Sequence, residues 1–337
     1  MNNDTLLEIK DLKVEFRSGM ELVKAVNGIS YQVKKGESFA IVGESGSGKT
    51  VSSLAMMRLL TVPPAHIDAS AITFDGSDIL NMAPEEWRHF SGEKVSMIFQ
   101  DALMALNPVY TVGWQIREMF RIHRQMPDAE IQKETVELLK KVGIPEPDQR
   151  VKDYPHQFSG GMRQRAMIAM AISLKPDLLI ADEPTTALDV TIQAQIMDLL
   201  KKLQEETGMS LILITHDLGV VSEVADRVAV MYAGRIVETG TIREVLGTPK
   251  HPYTWGLMSS RPQAQKRGQL LQPILGQPPN LAFIPTGCAF HPRCEYAEAA
   301  CKELLPGTLE VSPGHLVACH TIKEKEKVAQ GTNITTN

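Results

Sequence analysis

The chain has 337 residues, and its 43% hydrophobic and 22% charged content is typical of a globular protein with an ample core. A formal net charge of −5 argues against nucleic acid as a partner held by bulk electrostatics. No apolar run approaches the roughly 20 residues that a membrane-spanning helix needs, and the polar start at Met1–Asp4 is not a secretory signal. We therefore expect a cytosolic chain.

The first predicted elements are strands. Apolar and polar residues alternate over Leu7–Lys10 and Leu12–Phe16, which is the period of a half-buried strand. Ser38–Val42 is apolar almost throughout, which favours a strand buried on both faces. From Val51 the apolar residues recur at helical spacing. The segment between this strand and this helix is therefore a short loop.

A phosphate-binding pattern occupies that loop. Gly43–Thr50 fits G-x-x-x-x-G-K-[ST], in which backbone N–H groups and a helix N-terminus hold an anion. Lys49 would reach the β- and γ-phosphates, and the Thr50 hydroxyl would ligate Mg²⁺. A chance Gly-rich turn is a poor alternative between a buried strand and a helix. We predict a nucleoside triphosphate site that contains Gly43, Glu44, Ser45, Gly46, Ser47, Gly48, Lys49, Thr50 and Val51.

Helices and buried strands alternate in the middle of the chain. Residues from about 102 to 173 have helical patterns, including an amphipathic helix at Asp128–Val142. Three apolar runs beyond them predict buried strands: Asp177–Asp182, Leu211–Thr215 and Arg227–Met231. A predicted helix at about 191–206 separates the first of these strands from the second. This alternation predicts an α/β fold with a largely parallel sheet covered on both faces.

Two acidic residues end the first of those three strands. A carboxylate at the carboxyl end of a buried strand lies beside the P-loop in a doubly wound sheet, because both loops leave the sheet at that edge. Asp182 is therefore placed to hold Mg²⁺, directly or through water, and Glu183 to polarise the attacking water. An ordinary acidic loop at a strand end is the alternative.

A second candidate anion site is Ser159-Gly160-Gly161-Met162, which opens a predicted helix. A Ser and two glycines at a helix start leave N–H groups accessible to an anion. Many helices begin in this way, so the segment carries weight only together with the other motifs.

The composition changes in the C-terminal part. Residues 261–287 are rich in Pro, Gly and Gln and predict an extended connector, and the polar residues 323–337 are predicted to be disordered. Between them lie all four cysteines, spaced C-x5-C-x6-C-x17-C: Cys288, Cys294, Cys301 and Cys319. Four thiolates suit Zn²⁺ or a [4Fe–4S] cluster, and the absence of a C-x-x-C pair weakens a zinc ribbon. A disulfide pair or four free thiols are the remaining alternatives.

The ordered motifs resemble those of the nucleotide-binding subunits of ABC transporters over about residues 5–250. They are Walker A at Gly43–Thr50, Gln100 after a strand, the signature at Phe158–Met162, Walker B at Leu178–Asp182 with Glu183, a D-loop at Ala187–Asp189 and a switch histidine, His216. The signature departs from the usual L-S-G-G-Q at Phe158 and Met162 and retains Ser159 and both glycines.

This resemblance implies the fold. A P-loop ATPase core of the ABC type would contain a mixed sheet with an antiparallel β subdomain, an inserted helical subdomain and a small C-terminal cysteine-rich segment. The implied divisions are 1–100 for the antiparallel β subdomain and P-loop core, 101–175 for the helical signature subdomain, 176–260 for the rest of the core, 261–322 for the four-cysteine extension and 323–337 for a disordered tail.

The resemblance also implies how ATP is used. Two ATPase domains pack head to tail, and each ATP lies between the P-loop of one subunit and Ser159–Met162 of the other. Gln100 would sense Mg²⁺ or water, and His216 would contact the γ-phosphate unless it is merely a surface residue. Phe16 would stack on adenine, with a core role as an equal alternative.

Three further stretches look like segments of the dipeptide/oligopeptide permease ATP-binding subunits: Asn107–Ile116, His251–Thr254 and Pro285–Cys294. This resemblance implies a peripheral ATPase at the cytoplasmic face of the plasma membrane that powers peptide import. Its partners would be a second homologous ATPase (a heterodimer, or a homodimer in isolation), two membrane permeases and, indirectly, an extracytoplasmic solute-binding protein. The resemblance favours the [4Fe–4S] cluster over zinc, as a structural staple. Importers of nickel, glutathione or oligosaccharides share parts of this set.

Two other classes of function fit the motifs less well. ABC proteins that act on ribosomes usually resemble two fused cassettes, whereas this chain has one Walker A and one signature. DNA-repair members split their cassette with coiled coils, and no sustained heptads occur between residues 50 and 159. A P-loop switch protein without a transport role would not need the signature or His216.

Overall fold

The computed structural model describes residues 4–19, 21–186, 188–260 and 273–322. These residues form two compact units, each assembled from separate stretches of the chain. Unit 1 contains the described residues within 1–7, 33–38 and 73–215, and unit 2 contains those within 8–32, 39–72 and 216–337. The predicted tail at 323–337 and residues 261–272 of the predicted connector lie outside the described residues.

The strands, in chain order, are β1 (Thr5–Ser18), β2 (Glu21–Lys34), β3 (Ser38–Val42), β4 (Ala65–Asp68), β5 (Ala71–Phe74), β6 (Ser77–Asp78), β7 (Val95–Ile98), β8 (Leu178–Asp182), β9 (Ser210–Thr215), β10 (Arg227–Tyr232), β11 (Arg235–Thr241), β12 (Leu309–Ser312) and β13 (His315–Val317). The helices are α1 (Lys49–Met56), α2 (Pro84–Glu93), α3 (Ala102–Ala105), α4 (Val112–His123), α5 (Asp128–Lys141), α6 (Pro147–Arg150), α7 (Gly160–Ile172), α8 (Val190–Thr207), α9 (Leu218–Val224), α10 (Pro252–Ser259) and α11 (Ala299–Glu303). Turns of 3₁₀-helix occur at Pro155–Gln157 and His291–Arg293, and a π-helical turn at Arg243–Gly247.

Unit 1 contains three parallel strands and a helical bundle. Strands β7, β8 and β9 are parallel neighbours, and all three are buried along their whole length. Burial on both faces explains why their sequences are continuously apolar rather than alternating. Helices α4, α5 and α7 pack on one another through buried side chains, among them Ile116, Leu139 and Ile168. The predicted helix at Asp128–Val142 is confirmed as α5.

Unit 2 contains a mixed sheet. Strand β3 runs parallel to β10, with Phe39 opposite Arg227 and Val42 opposite Val230. Strand β10 is antiparallel to β11, which is antiparallel to β13. A separate antiparallel sheet contains β1, with β2 and β4 as neighbours. The predicted α/β class, with a mixed sheet, an antiparallel β subdomain and an inserted helical region, is confirmed.

The C-terminal extension is joined to the sheet of unit 2 by two strands that the sequence did not predict. Strand β13 pairs with β11, with Val317 opposite Glu238, and β12 pairs with β13. The buried imidazole of His315 contacts the buried Glu238 carboxylate, with 2.8 Å between Nε2 and Oε1. Phe290 is also buried. The extension is therefore attached to the rest of unit 2 by strand pairing and by buried side chains.

None of the helices in the described part of the chain is both long and apolar enough to cross a membrane.

Candidate nucleotide site

The P-loop in unit 2 is shaped by glycines that no other residue can replace without a shift. Gly43 has φ of +154°, and a Cβ there would lie 2.2 Å from the carbonyl oxygen of Met231. Gly48 has φ of +100°, and its Cβ would lie 2.2 Å from the carbonyl oxygen of Ala25. Both values fall where L side chains are strained, so the loop can approach its neighbours this closely only with glycine.

Lys49 is the first residue of α1, and its side chain curls back over the loop. Its Nζ donates hydrogen bonds to the carbonyl oxygens of Gly43 at 2.8 Å and Glu44 at 3.0 Å. The loop therefore presents a fixed ammonium group at a helix N-terminus, and both features attract a phosphate. Thr50 follows in the first turn of α1 and is half-buried. These residues fit a bound triphosphate.

The candidate catalytic carboxylate lies in unit 1. Asp182 is buried at the end of β8, and Glu183 follows it with φ of +44°. A non-glycine residue in this region carries backbone strain of order 1 kcal/mol, and such strain is concentrated at functional sites. Gln100 Nε2 donates to Glu183 Oε2 at 3.2 Å, and Thr186 Oγ1 donates to the same oxygen at 2.8 Å. Two predicted residues, Gln100 and Glu183, are thus brought together, and Thr186 joins them.

The signature residues, also in unit 1, form an open helix start. The Ser159 Oγ accepts a hydrogen bond from the Met162 N–H at 3.3 Å and caps α7. Ser159 and Gly160 are exposed, so the start of α7 is accessible from solvent. Phe158, which departs from the usual signature, is buried. Phenylalanine in place of the usual leucine therefore changes the core and not the exposed helix start.

The other two predicted contacts belong to unit 2. Phe16 is half-buried on β1, opposite Ala65 of β4, and its proposed stacking on adenine stays a prediction. His216 is exposed between β9 and the start of α9, and the next residue, Asp217, caps that helix. Ala187, in the predicted D-loop, lies outside the described residues.

The four cysteines of the extension form no disulfide bond within the described residues. Burial raises the pKa of the Cys288 thiol to about 11, and the charges of Cys319, Cys301 and Cys294 act on it in the same direction. In the described ranges, however, no three His, Cys, Asp or Glu side chains form a group that can hold a metal ion. The predicted [4Fe–4S] cluster, or zinc, is not supported by these positions.

Comparison with known proteins identifies the family. Residues 26–186 match the family described as ABC transporter, and residues 237–301 match the oligopeptide/dipeptide transporter C-terminal region. The oligopeptide transport ATP-binding protein OppD of Bacillus subtilis is 50% identical over 313 residues, which cover 93% of this chain and 87% of that protein. The chain belongs to the peptide-transporter branch of the ABC ATPases.

Other relatives of this ABC ATPase agree. The dipeptide transport ATP-binding protein DppD of Haemophilus influenzae is 50% identical over 316 residues, covering 94% of this chain and 95% of that protein. A solved structure, the dimeric post-hydrolysis state of the ATP-binding cassette MJ0796 bound to ADP and Pi, has a TM-score of 0.63 and 27% identity. The matched region covers 70% of this chain and 99% of the chain in that structure. The ABC ATPase fold that the motifs imply is confirmed.

Three residues next to the candidate site of this ABC ATPase were not assigned from the sequence. Thr186 contacts Glu183, as described above, and Tyr253 and Arg293 both contact Glu44 of the P-loop. Tyr253 and Arg293 fall within stretches that resemble peptide-transporter subunits, so the signal for their importance was present. Their contacts were not predictable, because they join residues more than 200 positions apart.

Proposed function

We propose that this chain is the ATP-hydrolysing subunit that powers a peptide importer. The observation that carries the proposal is the P-loop of unit 2, in which Gly43 and Gly48 leave no room for a side chain and the Lys49 ammonium is fixed over the loop. The relatives named for oligopeptide and dipeptide transport support peptide as the solute.

In this proposal the P-loop residues Gly43–Thr50 and Val51 bind the phosphates of ATP, and Phe16 contacts the adenine. Thr50, Gln100 and Asp182 hold Mg²⁺, which offsets the charge of the phosphates. Glu183 orients and polarises the attacking water through a carboxylate held by Gln100 and Thr186.

We propose that the site is completed by a second ATPase subunit. The helix start at Ser159–Met162 of the second subunit would contact the γ-phosphate bound by the first. His216 would contact the γ-phosphate from the same subunit as the P-loop. The open N-terminus of α7, with Ser159 and Gly160 exposed, supports this role. The dimeric cassette among the solved structures supports a dimer of this kind. Closure of the dimer with ATP and its reopening after hydrolysis would then supply the movement that drives import.

A surface of unit 1 supports contact with a membrane permease. Four large apolar side chains between Gln100 and α4 are exposed to between 42% and 83%: Leu103, Met104, Val109 and Tyr110. Exposed apolar residues this close together in the sequence are typical of a protein–protein contact. We propose that residues 101–175 form the helical signature subdomain, between core segments 1–100 and 176–260, and that this surface receives a permease at the cytoplasmic face of the membrane.

The ligand of the C-terminal extension, residues 261–322, is a separate part of the proposal. Cys288 and the three thiols that act on it electrostatically have the chemistry of a [4Fe–4S] or zinc site, although their side chains would have to converge to form one. Quantification of iron, acid-labile sulfide and zinc in protein purified without oxygen tests this. A protein that contains none of the three contradicts it.

Replacement of Glu183 by glutamine tests the assignment of the catalytic base. We expect turnover to fall by roughly 100-fold or more while ATP binding is retained, because a general base is lost and the phosphate contacts remain. Glu137→Gln, an exposed carboxylate on α5, is the matched control and should leave turnover unchanged. Wild-type turnover in Glu183→Gln would remove Glu183 from this role.

A further inference from the structure

Glu44, the second residue of the P-loop, is held at two points by residues far away in the sequence. Its backbone N–H donates to the Tyr253 hydroxyl at 2.8 Å. Its carboxylate accepts two hydrogen bonds from the Arg293 guanidinium, at 2.6 Å from Nη1 to Oε2 and 2.9 Å from Nη2 to Oε1. The stretches at 251–254 and 285–294 therefore converge on one residue of the loop.

Arg293 is buried in a site built to hold it. Its side chain is 5% exposed, and its Nε donates to the carbonyl oxygen of Leu275 at 3.0 Å. Its guanidinium carbon lies 5.8 Å from the ring centroid of Tyr232 and 5.9 Å from that of Phe290. The bonds to Glu44 raise the pKa of Arg293. A two-bond ion pair with one partner this buried is more specific than an exposed pair, which contributes little.

The charge of Glu44 matters because of where it lies. The loop must attract the polyanionic phosphates of ATP, yet it contains a carboxylate. The Glu44 carbonyl oxygen is 3.0 Å from the Lys49 ammonium, so the Glu44 side chain lies within about 10 Å, the Debye length at 0.1 M salt, of the phosphate site. An unpaired carboxylate there would repel ATP and would compete with it for Lys49.

We propose that Arg293 is a positioning residue for ATP binding, which neutralises Glu44 and keeps its carboxylate away from Lys49. Since Arg293 lies in the C-terminal extension, the folding of that extension sets the ATP affinity of the P-loop. The inference rests on the proposed ATP site at Gly43–Thr50. It adds that a change in the extension is communicated to the nucleotide site through one ion pair.

The test measures the affinity of the full chain for ATP with Mg²⁺ by titration calorimetry. Arg293→Gln removes the positive charge and leaves Glu44 unpaired, so we expect affinity to fall roughly tenfold, and less at high salt. Adding Glu44→Gln to that variant removes the repelling charge and should restore affinity to within about twofold of the wild type. Arg293→Lys keeps the charge and should stay close to the wild type.

A purely structural role for Arg293 gives a different pattern. It predicts that the double variant binds ATP no better than Arg293→Gln, because both have lost the ion pair, and that result would overturn the inference. Arg150→Ala, which removes an arginine paired with Asp153 at 2.9 Å in unit 1, is the control and should not change affinity. If the wild type itself does not bind ATP, the proposed function fails. If the wild type binds and Arg293→Gln binds equally well, only the inference fails.

Discussion

Replacing Gly48 by alanine should both destabilise the protein and weaken ATP binding. The residue has φ of +100°, which costs an alanine about 1 kcal/mol or more. The added Cβ would also lie 2.2 Å from the carbonyl oxygen of Ala25, so the backbone must move, at a further cost of about 2 kcal/mol. We expect the free energy of unfolding to fall by about 3 kcal/mol in total.

Gly46→Ala provides the matched comparison in the same loop. Its φ is +76°, but no atom lies within 4 Å of the position of its Cβ, so only the backbone cost of about 1 kcal/mol applies. Urea unfolding of the two variants should therefore differ by about 2 kcal/mol, and calorimetry should show the weaker ATP binding in Gly48→Ala. Equal losses of stability would refute the argument that the Ala25 carbonyl oxygen excludes a side chain at Gly48.

Two other predictions concern Thr186, which contacts Glu183, and Glu244, which contacts the extension. Thr186→Val removes the shorter of the two hydrogen bonds that hold the Glu183 carboxylate, so turnover should fall severalfold with ATP affinity unchanged. Thr186→Ser keeps the hydroxyl and should retain turnover, and unchanged turnover in the valine variant contradicts this. Hydrogen bonds from Thr241 and then Ser312 lower the pKa of Glu244 below its ordinary value of 4.5. Its folded pKa is depressed, so its contribution to stability is full above pH 4.5 and is lost as pH falls through the folded pKa. The free energy of unfolding, measured from pH 7 to pH 3, should show this loss in the wild type and not in Glu244→Gln. Parallel pH profiles of the two proteins would contradict the prediction.

The local elements around the P-loop could be predicted from the sequence because their signals are local. Ser38–Val42 is buried on both faces and therefore apolar throughout, and α1 begins at Lys49, within the sequence pattern itself. The strand Leu178–Asp182 was predictable for the same reason. Glu183 follows that strand directly, so its place was predictable, although its left-handed backbone was not.

The C-terminal extension could not be predicted in the same way. Strand β12 has exposed or half-buried residues throughout, and β13 is three residues long, so neither shows a strong hydrophobic period. Both exist because β13 pairs with β11, about 80 residues earlier in the chain. The cysteine spacing suggested a metal staple, but it gave no sign of these strands or of the buried pair of His315 with Glu238.

The ion pair of Glu44 with Arg293 could not be predicted from the sequence either. The sequence identifies Glu44 as a variable position of the P-loop pattern and marks the stretch around Arg293 as typical of peptide transporters. Nothing local connects the two, because their contact depends on the fold of the whole of unit 2.

The uptake of a labelled peptide tests the central claim most directly. Cells lacking their own copy of this chain would be supplied with the wild type or with Glu183→Gln, and uptake of a labelled dipeptide and a labelled pentapeptide would be followed. We predict that the wild type restores uptake of at least one of the two and that Glu183→Gln restores neither. Failure of the wild type to restore uptake of either peptide, or equal uptake with both proteins, would contradict the account.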